Sequence, residues 1–206
     1  KPVGEPASVR GHFAESRITV LDGGLPKRRH LNTHVDYSTC CDALPNAEND
    51  TSLGFPLGMA VSSDGATLYV AGFGSSEVGV YGTSALENDT FVPDAADQLP
   101  VSGGGPTGLV LDEARSQLYV LTRFDNAVKV VNTATNLETA QHPLHNPEPP
   151  HVVDGRRFLY DARFTSSNGE ASCSSCHAFA DFDSLAWDLG NPDDIVVANN
   201  NPPGLI

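Results

Sequence analysis

The residues with the most chemistry in this 206-residue chain are Cys173-Ser174-Ser175-Cys176-His177. Two cysteines three apart, followed at once by histidine, form the attachment sequence for c-type haem. One turn of chain puts both thiols in reach of the two vinyl groups of one porphyrin, and the histidine can then ligate the iron. The expected cofactor is therefore covalent haem c, bound by Cys173, Cys176 and His177, with His177 as the metal ligand. The plainer readings are a small disulfide or half of a zinc site. Zinc needs two further Cys or His ligands at sensible spacing, and the remaining cysteines, Cys40 and Cys41, are adjacent. That pair forms a strained vicinal disulfide, pairs elsewhere or stays as thiols, and the sequence does not choose.

The second axial position on the iron has no clear owner, and no catalytic residue is assigned. Met59 is the sole methionine and reads as core filling on a strand. His30 and His34 lie in a polar stretch where histidines are usually solvated, while His142, His145 and His151 are nearer the motif in sequence. The ligand can also lie past Ile206. Arg156, Arg157 and Arg163 suit haem propionates or are ordinary surface charge. Asp181, Asp183 and Asp188 around Trp187 form a weak calcium candidate or a solvated acidic face. Tyr69 and Tyr119 read as core.

The elements that hold this motif must be inferred from composition and pattern. Lys+Arg 12 against Asp+Glu 26 gives a net charge of −14. So acidic a surface repels phosphate backbones and anionic lipid, which argues against nucleic acid and membrane surfaces as partners, while a cationic redox partner would be steered well. No apolar run is long enough to span a bilayer, and no charged-then-apolar leader opens the chain. Both ends, Lys1 and Ile206, look like cuts in something longer. Haem attachment of this kind occurs outside the cytoplasm, so a periplasmic or extracellular bacterial location is expected.

An internal repeat is the second strong signal. Pro56–Tyr81 overlies Pro106–Val131 at a constant offset of fifty without a gap. Leu68-Tyr69-Val70 meets Leu118-Tyr119-Val120, and Val78 and Val80 meet Val128 and Val130. Each copy predicts three short strands: Gly58–Val61, Thr67–Ala71 and Glu77–Tyr81 in the first, and Gly108–Leu111, Gln117–Leu121 and Ala127–Val131 in the second. A half copy precedes them, since Ser16–Asp22 matches Ser76–Gly82. Units of this size suggest β-propeller blades. The Leu-Tyr-Val core, the Asn- or Ser-containing turn and the Val-x-Val strand resemble the bacterial YVTN-type propeller repeat.

The predicted fold class is all-β: a partial β-propeller of four-stranded antiparallel blades, followed by the beginning of a cytochrome c domain. Residues 1–148 hold the blades: a half blade at 14–26, an insertion loop at 27–53, and full blades at 54–102 and 103–141. Leu137–Pro150 reads as a proline-rich linker, and Asp154–Tyr160 could open another blade because Asp154-Gly155 copies Asp64-Gly65. Two and a half blades cannot close a ring, so the remaining blades are expected on another chain or segment.

The last part, 149–206, changes character. Gly155-Arg156-Arg157-Phe158-Leu159-Tyr160-Asp161-Ala162-Arg163-Phe164, four residues, then Gly169-Glu170-Ala171-Ser172-Cys173-Ser174-Ser175-Cys176-His177 resembles the opening of the bacterial di-haem cytochrome c peroxidase family. Residues 155–183 carry the match, and the second haem motif usual further downstream in that family is absent. The resemblance implies a haem c redox protein, for electron transfer or peroxidase-type oxidoreduction, with the propeller as a docking scaffold for a redox partner protein. The alternative is a non-catalytic propeller or surface module whose Cys-x-x-Cys-His is unfilled or disulfide-bonded.

Overall fold

The computed structural model describes residues 14–37, 42–177 and 180–182. The chain is mostly β, built of antiparallel sheets with a few short helices. β1 (Arg17–Val20) and β2 (Lys27–His30) form a two-stranded sheet. β3 (Pro56–Val61), β4 (Thr67–Gly72), β5 (Glu77–Gly82) and β6 (Gln98–Pro100) form the second sheet in sequential order. β7 (Pro106–Asp112), β8 (Gln117–Thr122), β9 (Ala127–Asn132) and β10 (Leu137–Pro143) form the third in the same way. The six strands expected from the repeat are all present, each longer by one to three residues at its ends.

The repeat is visible in the backbone as well as in the sequence. The hydrogen bonds Phe73 N–H to Phe55 O (3.1 Å) and Gly74 N–H to Gly54 O (2.9 Å) recur fifty residues on as Arg123 to Gly105 (2.9 Å) and Phe124 to Gly104 (3.2 Å). A second bond occurs three times. Leu31 N–H donates to Ser16 O (2.8 Å), Val101 to Ser76 O (3.0 Å) and Leu144 to Asn126 O (2.9 Å). In each case it ties the residue after the last strand of a sheet to the residue before the strand it pairs with. The two-stranded sheet therefore has the geometry of the outer two strands of the larger sheets.

Alternating β-branched and aliphatic residues give each sheet two faces, and the core lies between sheets rather than within one. Ile18 and Leu31 from the first sheet pack on Val70 and Tyr81 of the second, with Leu53 and Leu86. The opposite face of the second sheet, through Val78 and Leu99, packs on Leu118, Val120 and Val131 of the third. Lys129 is buried in the third sheet with its ammonium on Asp125 (2.6 Å) and Gln141 (2.8 Å).

Several expectations need correction. The 27–53 segment is not all loop. Its first four residues are β2, paired with β1 from Arg17↔His30 to Val20↔Lys27, and α1 (Ala47–Thr51) follows, capped by the Asn46 side chain. The supposed linker begins with β10, an edge strand. It is exposed along nearly its whole length, so backbone pairing to β9 holds it without apolar alternation, and no pattern betrayed it. Asp154–Tyr160 opens no further sheet but lies in α3 (Pro150–Tyr160), where Pro150 presets the helical φ of the first turn. Met59 is not core: it is 57% exposed on β3. Tyr69 packs beside the core between the second and third sheets but remains half-exposed, as does Tyr119.

Candidate cofactor site

The chain reaches the Cys173–His177 turn by a path fixed to the sheets along its length. Tyr160, the last residue of α3, sets its ring edge-on to Phe73 (5.3 Å between centroids) and stacks on Phe124 (6.1 Å), both rings from strand-connecting turns. The Arg156 guanidinium donates to the carbonyls of Arg123 (2.9 Å) and Phe124 (3.0 Å) and pairs with Glu148. Asp161 follows, buried, accepting from Ser76 Oγ (2.5 Å) and Arg163 N (3.0 Å) as the cap of α4 (Ala162–Thr165). Ala162 N–H donates to Gly74 O at 2.6 Å.

Arg163 then reaches back to Glu77 at 3.3 Å. Burial pushes the Glu77 carboxyl up to about 7, although Arg163 opposes this. Its other oxygen, Oε2, is buried without a hydrogen-bond partner among the described residues.

The next loop is pinned to α1 and its flanks. Asn46 Nδ2 donates to Ser167 O (3.0 Å), Asn49 Nδ2 to Ser166 O (2.7 Å) and Ser52 Oγ to Asn168 O (2.5 Å). Gly169 has φ +72°, and a Cβ there would meet the Asn49 carbonyl at 2.9 Å, so this close approach requires glycine.

Glu170 is the strongest anchor. Its buried carboxylate accepts from Ser16 N (2.9 Å), Asn32 Nδ2 (3.1 Å), His30 Nε2 (2.6 Å) and the Tyr37 hydroxyl. Burial pushes this carboxyl up, but the bonds from His30, Tyr37 and Ser16 outweigh it and hold Glu170 below its ordinary value. Burial and the neighbouring Glu170 push the Tyr37 phenol up.

The motif itself is one 3₁₀ turn, Cys173–Ser175, with Ser172 Oγ against Ser174 Oγ (2.7 Å) and Ser172 N–H on Ser175 Oγ (3.2 Å). Cys176 N–H and His177 N–H both donate to Cys173 O, at 3.2 and 2.9 Å. Residues three apart eclipse on such a turn, so Cys173 and Cys176 share a side. Cys173 is exposed and Cys176 half-buried. The His177 ring is exposed with Nδ1 3.0 Å from Asp181 O. Donation from Nδ1–H to that carbonyl leaves the Nε2 lone pair available to a metal, the usual arrangement behind a ligating histidine.

The other predicted residues fall elsewhere. His30 spends Nε2 on Glu170, and His34 places its own against Glu48 O (2.9 Å) and Ser52 Oγ (3.2 Å). His142, His145 and His151 are exposed. Of the three arginines, Arg156 and Arg163 are committed to the sheets, and Arg157 lies over the Phe158 and Phe164 rings (4.9 and 5.2 Å). Among the described residues no group of three or more His, Cys, Asp or Glu could hold a metal ion. Cys40, Cys41, Asp183, Trp187 and Asp188 lie outside the described residues, so the vicinal pair and the calcium candidate do too.

Glu170, Tyr37 and Asn32 were not found from sequence. Glu170 stands within the quoted flank of the motif, but one glutamate gives no sign that three distant segments converge on it.

Fold and site thus define an antiparallel all-β protein with a cysteine–histidine turn fastened to its sheets. No family model and no curated protein matches this chain. Among solved structures it is similar to the hydrazine synthase of Kuenenia stuttgartiensis, at 20% identity and a TM-score of 0.37, over 44% of this chain and 24% of that one. The matched region is about a quarter of that protein, and so distant a likeness establishes neither activity nor partner. No helix among the described residues is long and apolar enough to cross a membrane.

Proposed function

We propose that this chain is a haem c-binding redox protein of the bacterial periplasm or exterior, and that its sheets are blades of a YVTN-type propeller that docks a partner. The observation that carries the reading is the Cys173–His177 turn: two cysteines on one side, followed by an exposed imidazole whose Nδ1 is already occupied by the Asp181 carbonyl. The donor set fits the group, because Cys173 and Cys176 supply two thiols for thioether bonds and His177 supplies a neutral nitrogen for iron. A haem bound there would supply an iron that changes oxidation state, and the protein would set its ligand, exposure and potential.

The chain's own residues do the rest. Asp181 O orients the His177 ring, and the Glu170, Asp161 and Tyr160 anchors hold the turn in one place on the sheets. The net charge of −14 favours a cationic electron-transfer partner. Resemblance to the di-haem peroxidase opening adds peroxide reduction as the finer possibility.

Expression with a cytochrome c maturation system tests this. The expected result is an intense Soret band that survives acid-acetone extraction, with His177→Ala keeping the covalent group but changing its ligand-field spectrum. Peroxide that perturbs the spectrum supports peroxidase-type chemistry, and peroxide without effect leaves electron transfer. Bare polypeptide by intact mass overturns the redox assignment and leaves a recognition scaffold.

A further inference from the structure

The second and third sheets treat one equivalent position differently. Lys129 of β9 pairs across the ladder with Gln141 of β10. Its ammonium is buried, on Gln141 Oε1 at 2.8 Å and on Asp125 at 2.6 Å. Fifty residues earlier the repeat has Gly79 of β5, paired in the same way with Gln98 of β6. The glutamine across the ladder is kept, and the ammonium is missing.

Oxygen atoms line the place it would take. Gln98 Nε2 donates to Thr51 O (3.3 Å), while Gln98 Oε1 is buried without a hydrogen-bond partner. Glu77 lies two residues before Gly79 on the same face of β5, with Oε1 on Arg163 and Oε2 buried and unpartnered. Tyr81, two residues after, lays its ring over Gly79: a Cβ there would meet the hydroxyl at 2.8 Å. That hydroxyl is buried and unpartnered as well. Burial raises the Tyr81 phenol, the Gln98 amide lowers it, and Asp97 and Glu77 raise it, so these groups are neighbours. Glu77, Tyr81 and Gln98 are only 7%, 7% and 8% exposed. One hydroxyl proton cannot serve both acceptor oxygens, and a buried acceptor left unpaired is costly.

Charge points the same way. Asp50 and Asp161 act on Glu77, and Asp97 acts on Tyr81. Arg163 is the one cation paired with Glu77 among the described residues, and it is shared with Asp161. Asp50 and Asp97 are exposed. The first directly precedes Thr51 and the second directly precedes Gln98, so two solvated acids stand beside the buried oxygens.

We propose that Glu77, Tyr81 and Gln98 form a binding site for a monovalent cation, potassium or ammonium, which does in the second sheet what the Lys129 ammonium does in the third. One carboxylate with neutral oxygens suits a singly charged ion, whereas calcium draws on more oxygens, several of them carboxylate. The ion would keep Glu77 ionised beside Arg163 and so fasten α4 to β5. The site is independent of haem.

Urea unfolding of the full chain at pH 8, where Glu77 is largely ionised, compares potassium, ammonium and choline chlorides at one ionic strength. Potassium at ten times its dissociation constant should raise the folding equilibrium constant about tenfold over choline. The effect should shrink at pH 5, where Glu77 holds its proton, and vanish in Glu77→Gln. The double variant Gly79→Lys/Tyr81→Val copies the third sheet, where Val131 stands in the place of Tyr81, and should be equally stable in potassium and choline. Equal stability of the wild type in all three salts overturns the proposal and leaves ordered water on these oxygens. So does a potassium effect that persists in Glu77→Gln, or calcium chloride stabilising the wild type where potassium does not.

Discussion

Glu77 offers the sharpest test of how the motif segment is held. It opens β5, its side chain is buried, and its one ion-pair partner among the described residues is Arg163 of α4, 3.3 Å away and itself shared with Asp161. Burial raises this carboxyl from 4.5 to about 7, with Arg163 opposing and Asp161 and Asp50 adding to the rise. The folded chain therefore binds this proton more tightly than the unfolded chain. The contribution is fully present below about 4.5 and is lost as pH rises through 7. Each pH unit in that window is worth about 1.4 kcal/mol, so the whole loss is about 3 kcal/mol. For a chain of this length that corresponds to a fall in Tm of about 6–12 °C.

Glu77→Gln keeps the shape and cannot ionise. Urea unfolding followed by far-ultraviolet circular dichroism, on wild type and variant from pH 4.5 to 8, isolates the effect, because every other ionisable group is common to both. The variant's advantage should grow steadily with pH, to about 3 kcal/mol at pH 8. Parallel curves would refute a raised Glu77. A wild type that gains on the variant above pH 6 would show that the Arg163 pair outweighs burial.

Two further outcomes follow from buried charges. Glu170 has the opposite sign. Its ionised form is favoured in the fold, so its contribution is present above the unfolded value and is lost as pH falls; Glu170→Gln should cost about 1.5–3 kcal/mol at pH 7 by urea unfolding, with the gap closing on acidification. Asp125→Ala strands the Lys129 ammonium, whose side chain is 1% exposed, with Gln141 alone, and should cost about 3–5 kcal/mol by the same measurement, most of it recovered when Lys129→Met is added.

What could be read from sequence follows from what side chains repeat. β3, β4 and β5 announced themselves because Leu68-Tyr69-Val70 and Val78-x-Val80 recur at one offset, and their mates lie on matching faces. β2 and β10 did not, because they are edge strands held by backbone pairing, and Lys27-Arg28-Arg29-His30 carries no apolar alternation. α3 was misread because Asp154-Gly155 before an aromatic–aliphatic run fits a strand entrance locally, while the docking of Tyr160 onto Phe73 and Phe124 that rewards a helix is a long-range fact. The cysteine–histidine turn was legible as a motif. Its anchor was not, since Glu170 gains its meaning from Ser16, His30, Asn32 and Tyr37, which lie more than 130 residues away.

Those anchors join the repeat to the candidate site. Ser16 and Ser76 are equivalent residues of successive copies, each at the entrance to the first strand of a sheet's outer pair. Each also binds a buried carboxylate of the motif segment: the Ser16 amide donates to Glu170 and the Ser76 hydroxyl to Asp161. The segment thus grips the same corner of two neighbouring sheets, nine residues apart along its own length. Any shift of one sheet against the other must strain the stretch between Asp161 and Glu170, three residues before Cys173. A displacement of either sheet is therefore carried to the cysteine–histidine turn through Ser16 and Glu170 or through Ser76 and Asp161.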